Sequence, residues 1–200
     1  MSKLERLDGG YINQVFREDG FVAKKFGGEE LVKKSVESRL RRERHALVRF
    51  GGNQAPNFLG FDDQGRLLQE FLPGGVLEGR ALEQDYFDSG TLLSSIHTPV
   101  NSSFVYVQDA LEKIWGKTRQ VAAPILEHEG LEPTITVNWE VESELGVTRI
   151  HRDLWFGNII RTNGSLRAID WEFAGIGSPY EDLAIVELWI FREYEQTLSE

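Results

Sequence analysis

The sequence predicts an α+β chain whose character changes part-way along, strands first and helices after. Three observations predict it. Up to Leu72 the apolar residues alternate over short runs separated by glycine pairs and turn signals. Pro73-Gly74-Gly75 then breaks the pattern, and beyond it apolar residues recur mainly at helical spacing. With 200 residues, 40% of them hydrophobic and 11% aromatic, the chain can bury a core as one domain or as two small lobes sharing a cleft. The break at Pro73 divides an N-terminal lobe, 1–72, from a C-terminal lobe, 73–200.

In chain order, Gly9-Gly10 runs into an alternating segment, Tyr11 to Arg17, and Asp19-Gly20 supplies a hairpin turn. Phe21 to Phe26 reads as the returning strand, closed by Gly27-Gly28. From about Glu29 to Phe50 the period becomes helical, with Val32, Val36, Leu40, Leu47 and Phe50 as the apolar stripe and Gly51-Gly52 as the stop. Asn57 to Phe61 and Arg66 to Leu72 read as strands around an Asp62-Asp63-Gln64-Gly65 turn. Past the break, Leu82 to Ile96 and Val105 to Leu126 read as helices, whereas Glu132 to Gly146 fits neither period. Val147 to Ile150, Asn158 to Arg161 and Leu166 to Ile169 read as short strands around loops. Glu181 to Glu195 carries so many apolar residues that a buried helix is expected.

Composition excludes several classes of function. The net charge of −10, from 32 acidic against 22 basic residues, repels nucleic acid and anionic lipid, so neither is an expected partner. A cationic substrate would gain from that field, although solubility accounts for the acidity equally well. The absence of cysteine rules out disulfides, thiolate metal sites and a cysteine nucleophile. His45, His97 and His128 are scattered without zinc-ligand spacing. The aromatic residues around Trp155, Trp171 and Trp189 read as core. The segment Met1 to Arg6 has no apolar signal region and no stretch approaches a membrane span, so a cytoplasmic location is expected.

The chemistry is concentrated in Ile150-His151-Arg152-Asp153-Leu154-Trp155-Phe156-Gly157-Asn158-Ile159-Ile160, followed by Ala168-Ile169-Asp170-Trp171-Glu172. An Asp lies five residues before an Asn in a loop between apolar segments, and a second Asp ends the next strand. Phosphoryl transfer requires an aligned hydroxyl and cations held against phosphate oxygens. One carboxylate can orient or deprotonate the hydroxyl. A second carboxylate and an amide oxygen can hold Mg²⁺, a hard ion that takes oxygen ligands.

This constellation resembles the catalytic and metal loops of protein-kinase-like enzymes. Asp170 is followed by Trp171-Glu172-Phe173-Ala174-Gly175 rather than Phe-Gly, and Gly177-Ser178-Pro179-Tyr180-Glu181-Asp182-Leu183-Ala184 comes after it. That run resembles the aminoglycoside phosphotransferase, choline kinase and fructosamine kinase superfamily. The resemblance implies a two-lobe protein-kinase-like fold, with a five-stranded antiparallel N-lobe carrying one helix and a mainly helical C-lobe. It further implies ATP and Mg²⁺ between the lobes, Asp153 as catalytic base, Asn158 and Asp170 as Mg²⁺ ligands, and structural roles for His151 and for Asp182 at a helix start.

For the N-lobe the resemblance implies a strand lysine paired with ATP phosphates and a helix glutamate. Lys24 is the candidate, and Lys25 competes, since Val22-Ala23-Lys24-Lys25 also matches the Val-Ala-x-Lys spacing of protein kinases. The two point to opposite faces of a strand, so only one can enter the cleft. Glu43, in Arg41-Arg42-Glu43-Arg44-His45-Ala46-Leu47, is the implied partner. Gly10 and Asn13 resemble the family's shortened nucleotide loop, and Gln69 to Leu72 its adenine-binding linker.

The function expected from these residues is ATP-dependent phosphorylation of a small hydroxylated molecule such as an aminoglycoside, amino alcohol or sugar derivative. The alternatives are a protein kinase, against which the missing activation-loop features argue, and a non-catalytic nucleotide-binding module. About sixteen residues follow Ala184, where the family continues with further helices. An acceptor wall that is open, completed by a homodimer partner or suited to a large acceptor is therefore expected.

Overall fold

The computed structural model describes residues 5–7, 13–18, 20–27, 33–79, 81–100 and 147–199, with side chains described outside 33–35 and 191–199. Gly10 and the segments 105–126 and 132–146 lie outside these residues. Strands β1 (Glu5–Leu7), β2 (Gln14–Glu18), β3 (Phe21–Lys25), β4 (Phe58–Phe61) and β5 (Leu67–Glu70) form one antiparallel sheet in the order β1-β2-β3-β5-β4. The hairpin register pairs Glu18 with Phe21, and Gly20 turns the chain with φ +82°, a conformation open mainly to glycine. Helix α1 (Lys33–Phe50) lies between β3 and β4 in the chain.

The break at Pro73 is followed at once by a second sheet. Strand β6 (Gly75–Val76) pairs with β8 (Ile159–Thr162), which pairs in turn with β9 (Ser165–Ala168). Gly74, at φ +148°, sits so close to β8 that a Cβ would meet the Arg161 carbonyl at 2.0 Å, and this explains why a glycine opens the pairing. Strand β7 (Thr148–Ile150) pairs with β10 (Gly175–Gly177), a strand that the apolar pattern does not reveal. Helix α2 (Glu83–Ile96) begins with the Asp85 carboxylate accepting a 2.7 Å bond from the Leu82 amide. Asp85 is fully buried and meets the Arg161 guanidinium, tying the start of α2 to β8.

Helix α3 (Pro179–Ser199) is longer than its apolar content predicts and is not buried on all sides. Asp182 and Val186 face inward, whereas Leu183 is 45% and Leu188 66% exposed. Among the described residues the helix packs on β7 and α2. Over 181–190 the expectation of a buried helix thus holds for a stripe only, and 191–195 lie outside the described side chains. No helix among the described residues is long and apolar enough to cross a membrane.

The core runs from the sheet to the helices and the segments that flank β8 and β9: Leu47 and Phe50 of α1, Leu67 of β5, Leu92 and Ile96 of α2, Val186 of α3, and Leu154, Phe156 and Trp171. Trp171 is wholly buried, stacks on Phe50 at 5.0 Å, and donates its indole N–H to the Ala168 carbonyl at 2.8 Å. Trp155 and Trp189, expected in the core, are instead half-buried and pack on each other at 4.7 Å. Because Trp171 joins α1 to the loop elements, Trp171→Ala should cost about 3–5 kcal/mol, read from urea midpoints.

Candidate active site

Five of the seven sequence-predicted residues lie together in one group: Lys24, Glu43, Asp153, Asn158 and Asp170. Asn13 reaches it through a neighbour, and Gly10 lies outside the described residues. Strand β3 turns Lys24 inward and leaves Lys25 exposed, as alternation requires. The Lys24 ammonium donates to Glu43 Oε2 at 2.7 Å and to Asp170 Oδ1 at 2.5 Å. Burial alone would strip its proton, but the charges of Glu43 and Asp170 outweigh burial and raise its pKa. Glu43 is fully buried, and among the described residues its second oxygen has no hydrogen-bond partner. Desolvation therefore pushes the Glu43 carboxyl upward despite Lys24. The pair shares its burden unequally: the ammonium has two carboxylates, the glutamate one cation.

Asp170 stands at the end of β9 with φ +62°, a left-handed backbone uncommon for a side-chain-bearing residue. This kink lifts the carboxylate out of the strand, and its side chain remains 35% exposed. On the facing loop, Asn158 donates its amide to the Asp153 carbonyl at 2.8 Å and to Asp153 Oδ2 at 2.9 Å. Its backbone carbonyl accepts from the Ile169 amide at 2.9 Å, holding that loop beside the strand that delivers Asp170. Burial, then the nearby Asp170 charge, raise the pKa of half-buried Asp153 to about 6, against the pull of Asn158.

Two further residues brace this loop. His151 Nδ1 accepts from the Asp153 amide at 3.3 Å, which leaves Nε2–H to donate to the Ile169 carbonyl at 3.0 Å. Burial lowers the His151 pKa, so the ring is a neutral spacer between the Asp153 loop and the Asp170 strand. Asp182, fully buried at the start of α3, accepts from the amides of His151 at 2.8 Å and Arg152 at 2.6 Å, and contacts His97 Nε2 at 3.0 Å. Arg152 is held in a left-handed conformation, φ +68°, and its guanidinium donates to Glu181 and to the Ile176 carbonyl. Asp182→Ala should strand these donors and cost about 3–5 kcal/mol in denaturant titration, whereas Asp182→Asn should cost less.

Sequence reasoning set His97 aside for want of zinc-ligand spacing, and passed over Arg39, Arg42 and Glu172. Glu172 is 3% exposed, and its carboxylate oxygens accept from Asn13 Nδ2 at 2.8 Å and from Arg39 Nη1 at 3.3 and 3.4 Å. Its carbonyl accepts from Arg42 Nε at 2.7 Å. The signal that could have found it is its place two residues after Asp170 in an otherwise apolar run.

One oxygen from each of Glu43, Asp170 and Glu172 lies within 4.8 Å of the others. An all-oxygen set of this kind fits a hard divalent ion such as Mg²⁺ and no soft metal. Glu43 and Glu172 are buried, whereas Asp170, although one of its oxygens is bonded to Lys24, is the member of the three with an exposed side. A separate cavity of about 450 Å³, lined by Gln54, Asp88, Leu92, Leu166 and Arg167 among others, includes none of these residues.

Comparison with known proteins gives a consistent picture. A family model described as the phosphotransferase enzyme family matches residues 3–198. No curated protein matches the sequence significantly. Among solved structures, the streptomycin–ATP ternary complex of the aminoglycoside phosphotransferase APH(2'')-IIa superposes with a TM-score of 0.60 at 18% identity, covering 92% of this chain and 70% of that one. The choline kinase LicA from Streptococcus pneumoniae gives 0.58 at 22% identity, covering 98% and 73%. The macrolide 2'-phosphotransferase MphH from Brachybacterium faecium gives 0.54 at 17% identity, covering 96% and 77%. The architecture is therefore the α+β, kinase-like fold expected from the sequence, with an antiparallel N-terminal sheet.

Proposed function

Because the chain belongs to the phosphotransferase enzyme family, we propose that it is a kinase that transfers the terminal phosphoryl group of ATP to a hydroxyl of a small molecule. The observation that carries this reading is the joining of Lys24, Glu43 and Asp170 into one charged chain beside the Asp153–Asn158 pair. In it, residues 1–72 form the nucleotide-binding part and 73–200 the catalytic part, with Gln69 to Leu72 as the adenine-binding linker.

Each residue has a role that its environment suits. Asp153, with a pKa raised to about 6, is ionised at neutral pH yet basic enough to accept the hydroxyl proton as the acceptor oxygen bonds to phosphorus and ADP departs. Asn158 fixes the rotamer of that carboxylate through its amide. Lys24, kept charged by its two partners, meets phosphate oxygens, and Glu43 holds it in place. Asp170, with Asn158, would hold Mg²⁺, which supplies neutralisation of phosphate charge when bound. His151 and Asp182 keep the loop in register.

The acceptor class is tested by Mg²⁺-dependent ADP release from ATP with aminoglycosides, choline, ethanolamine, macrolides, ketosamines and simple sugars, using Asp153→Asn as control. Release stimulated by one acceptor, and absent in the variant, is the expected result. ATP binding without stimulation by any acceptor, protein substrates included, would favour a nucleotide-binding module of the same fold.

A further inference from the structure

The Glu172 carboxylate stands where three separately folded pieces meet. From the chain preceding β2, Asn13 donates its amide N–H to Glu172 Oε2 at 2.8 Å. From α1, Arg39 Nη1 lies 3.3 Å from the same oxygen, and both partners are about 4% exposed at the side chain. From its own segment, Glu172 is two residues beyond Asp170 and within 4.8 Å of its carboxylate. Asn13 and Arg39 converge again on the end of β3: the Gly27 amide donates to Asn13 Oδ1 at 3.3 Å, and Arg39 Nη2 donates to the Gly27 carbonyl at 2.5 Å. The result is a closed ring, Glu172–Asn13–Gly27–Arg39, in which the Asn13 amide is engaged once through its nitrogen and once through its oxygen.

A carboxylate this buried is costly unless its partners compensate it, and here they belong to the N-terminal sheet and helix while Glu172 belongs to the Asp170 segment. We infer that Glu172 is a positioning residue for nucleotide: through Asn13 and Arg39 it locks the chain at Asn13 and at Gly27, on either side of the β2–β3 hairpin, to the segment that carries Asp170, so that phosphates meet Lys24 and Asp170 at a fixed spacing. This rests on the kinase reading above. Asn13 then serves the nucleotide by holding Gly27 and Glu172 together through its amide oxygen and nitrogen.

The test measures ATP affinity by titration calorimetry with Mg²⁺ for the wild type, Glu172→Gln, Asn13→Ala and their double variant, alongside thermal midpoints. Removing one hydrogen bond to a buried charge should weaken ATP about tenfold in each single variant. The double variant should be no weaker than the poorer single one, because both break the same ring. With an acceptor identified, KM for ATP should rise while kcat changes little. Asn13→Ala lies in a loop and Glu172→Gln keeps the shape of the side chain, so both report on folded protein. Lower thermal midpoints with ATP affinity within twofold of wild type would overturn the inference, as would fully additive losses. A wild type that binds no ATP would overturn the kinase reading itself, and that outcome is visible before any variant is made.

Discussion

Replacing Asp153 with Asn should abolish most turnover and at the same time make the folded protein more stable above pH 6. General-base catalysis is worth about 10²–10⁴-fold, so kcat should fall by that range while ATP affinity holds. Asparagine keeps an oxygen to accept the Asn158 amide bond, and the geometry survives. The stability gain follows from linkage. The Asp153 pKa is raised to about 6 in the folded protein from 3.8, mainly by burial and then by the Asp170 charge. The folded state therefore binds the proton more tightly than the unfolded one. Stability falls as pH rises from about 4 to about 6, and the whole cost is present above that. Solvent screening at this half-buried carboxylate reduces the effect to about 1 kcal/mol. Urea titrations at pH 5 and pH 7.5 should show the variant's advantage at both, about half as large at pH 5, where the cost is only partly developed. The same ionisation should give kcat/KM of the wild type an acid limb near pH 6, with activity rising as the proton leaves. An acid limb retained in the variant would assign it elsewhere.

The second large effect concerns Lys24. Its removal leaves Glu43, which is fully buried and among the described residues already has one oxygen without a partner, beside Asp170 without the cation that joined them. Breaking a buried pair on one side costs about 3–5 kcal/mol, so Lys24→Met should fold poorly at neutral pH. Adding Glu43→Gln should restore most of the lost stability, because the uncompensated charge is gone, while ATP turnover stays lost. Guanidinium midpoints and ADP release on the same samples separate the two effects. Recovery of turnover along with stability would mean that Lys24 acts only through folding.

How far the sequence could be read depended on which force placed each element. The hairpin of β2 and β3 and the strands β4 and β5 follow from alternation and turn chemistry, which are local. In α1 the apolar stripe finds Leu47 and Phe50, while Val36 and Leu40 are only half-buried and the buried line continues instead through Ala46, Glu43 and Arg39. Hydrophobic periodicity could not find that part, because Arg39 and Glu43 are charges compensated by residues elsewhere in the chain. Glu43 was legible only from its likeness to a family pattern, and Arg39 carried no such mark. Strands β6 and β10 are short and glycine-bearing, and exist because a partner strand meets them. For α3, composition gave the helix but not its orientation, since apolar residues stand on nearly every side and only packing decides which are covered.

The Asp182 clamp has a consequence for the time-scale of motion. The amides of His151 and Arg152 lie in a stretch without regular secondary structure, where rapid exchange with solvent deuterium would ordinarily be expected. Both donate to a carboxylate with no solvent exposure, anchored at the first turn of a helix. They cannot open without detaching that helix start, so their exchange should track global unfolding rather than local fraying. The edge strand β4, with Leu59 and Phe61 facing solvent, should exchange orders of magnitude sooner. The segment that leads into Asp153 should therefore behave, in the language of exchange, as part of the slow core.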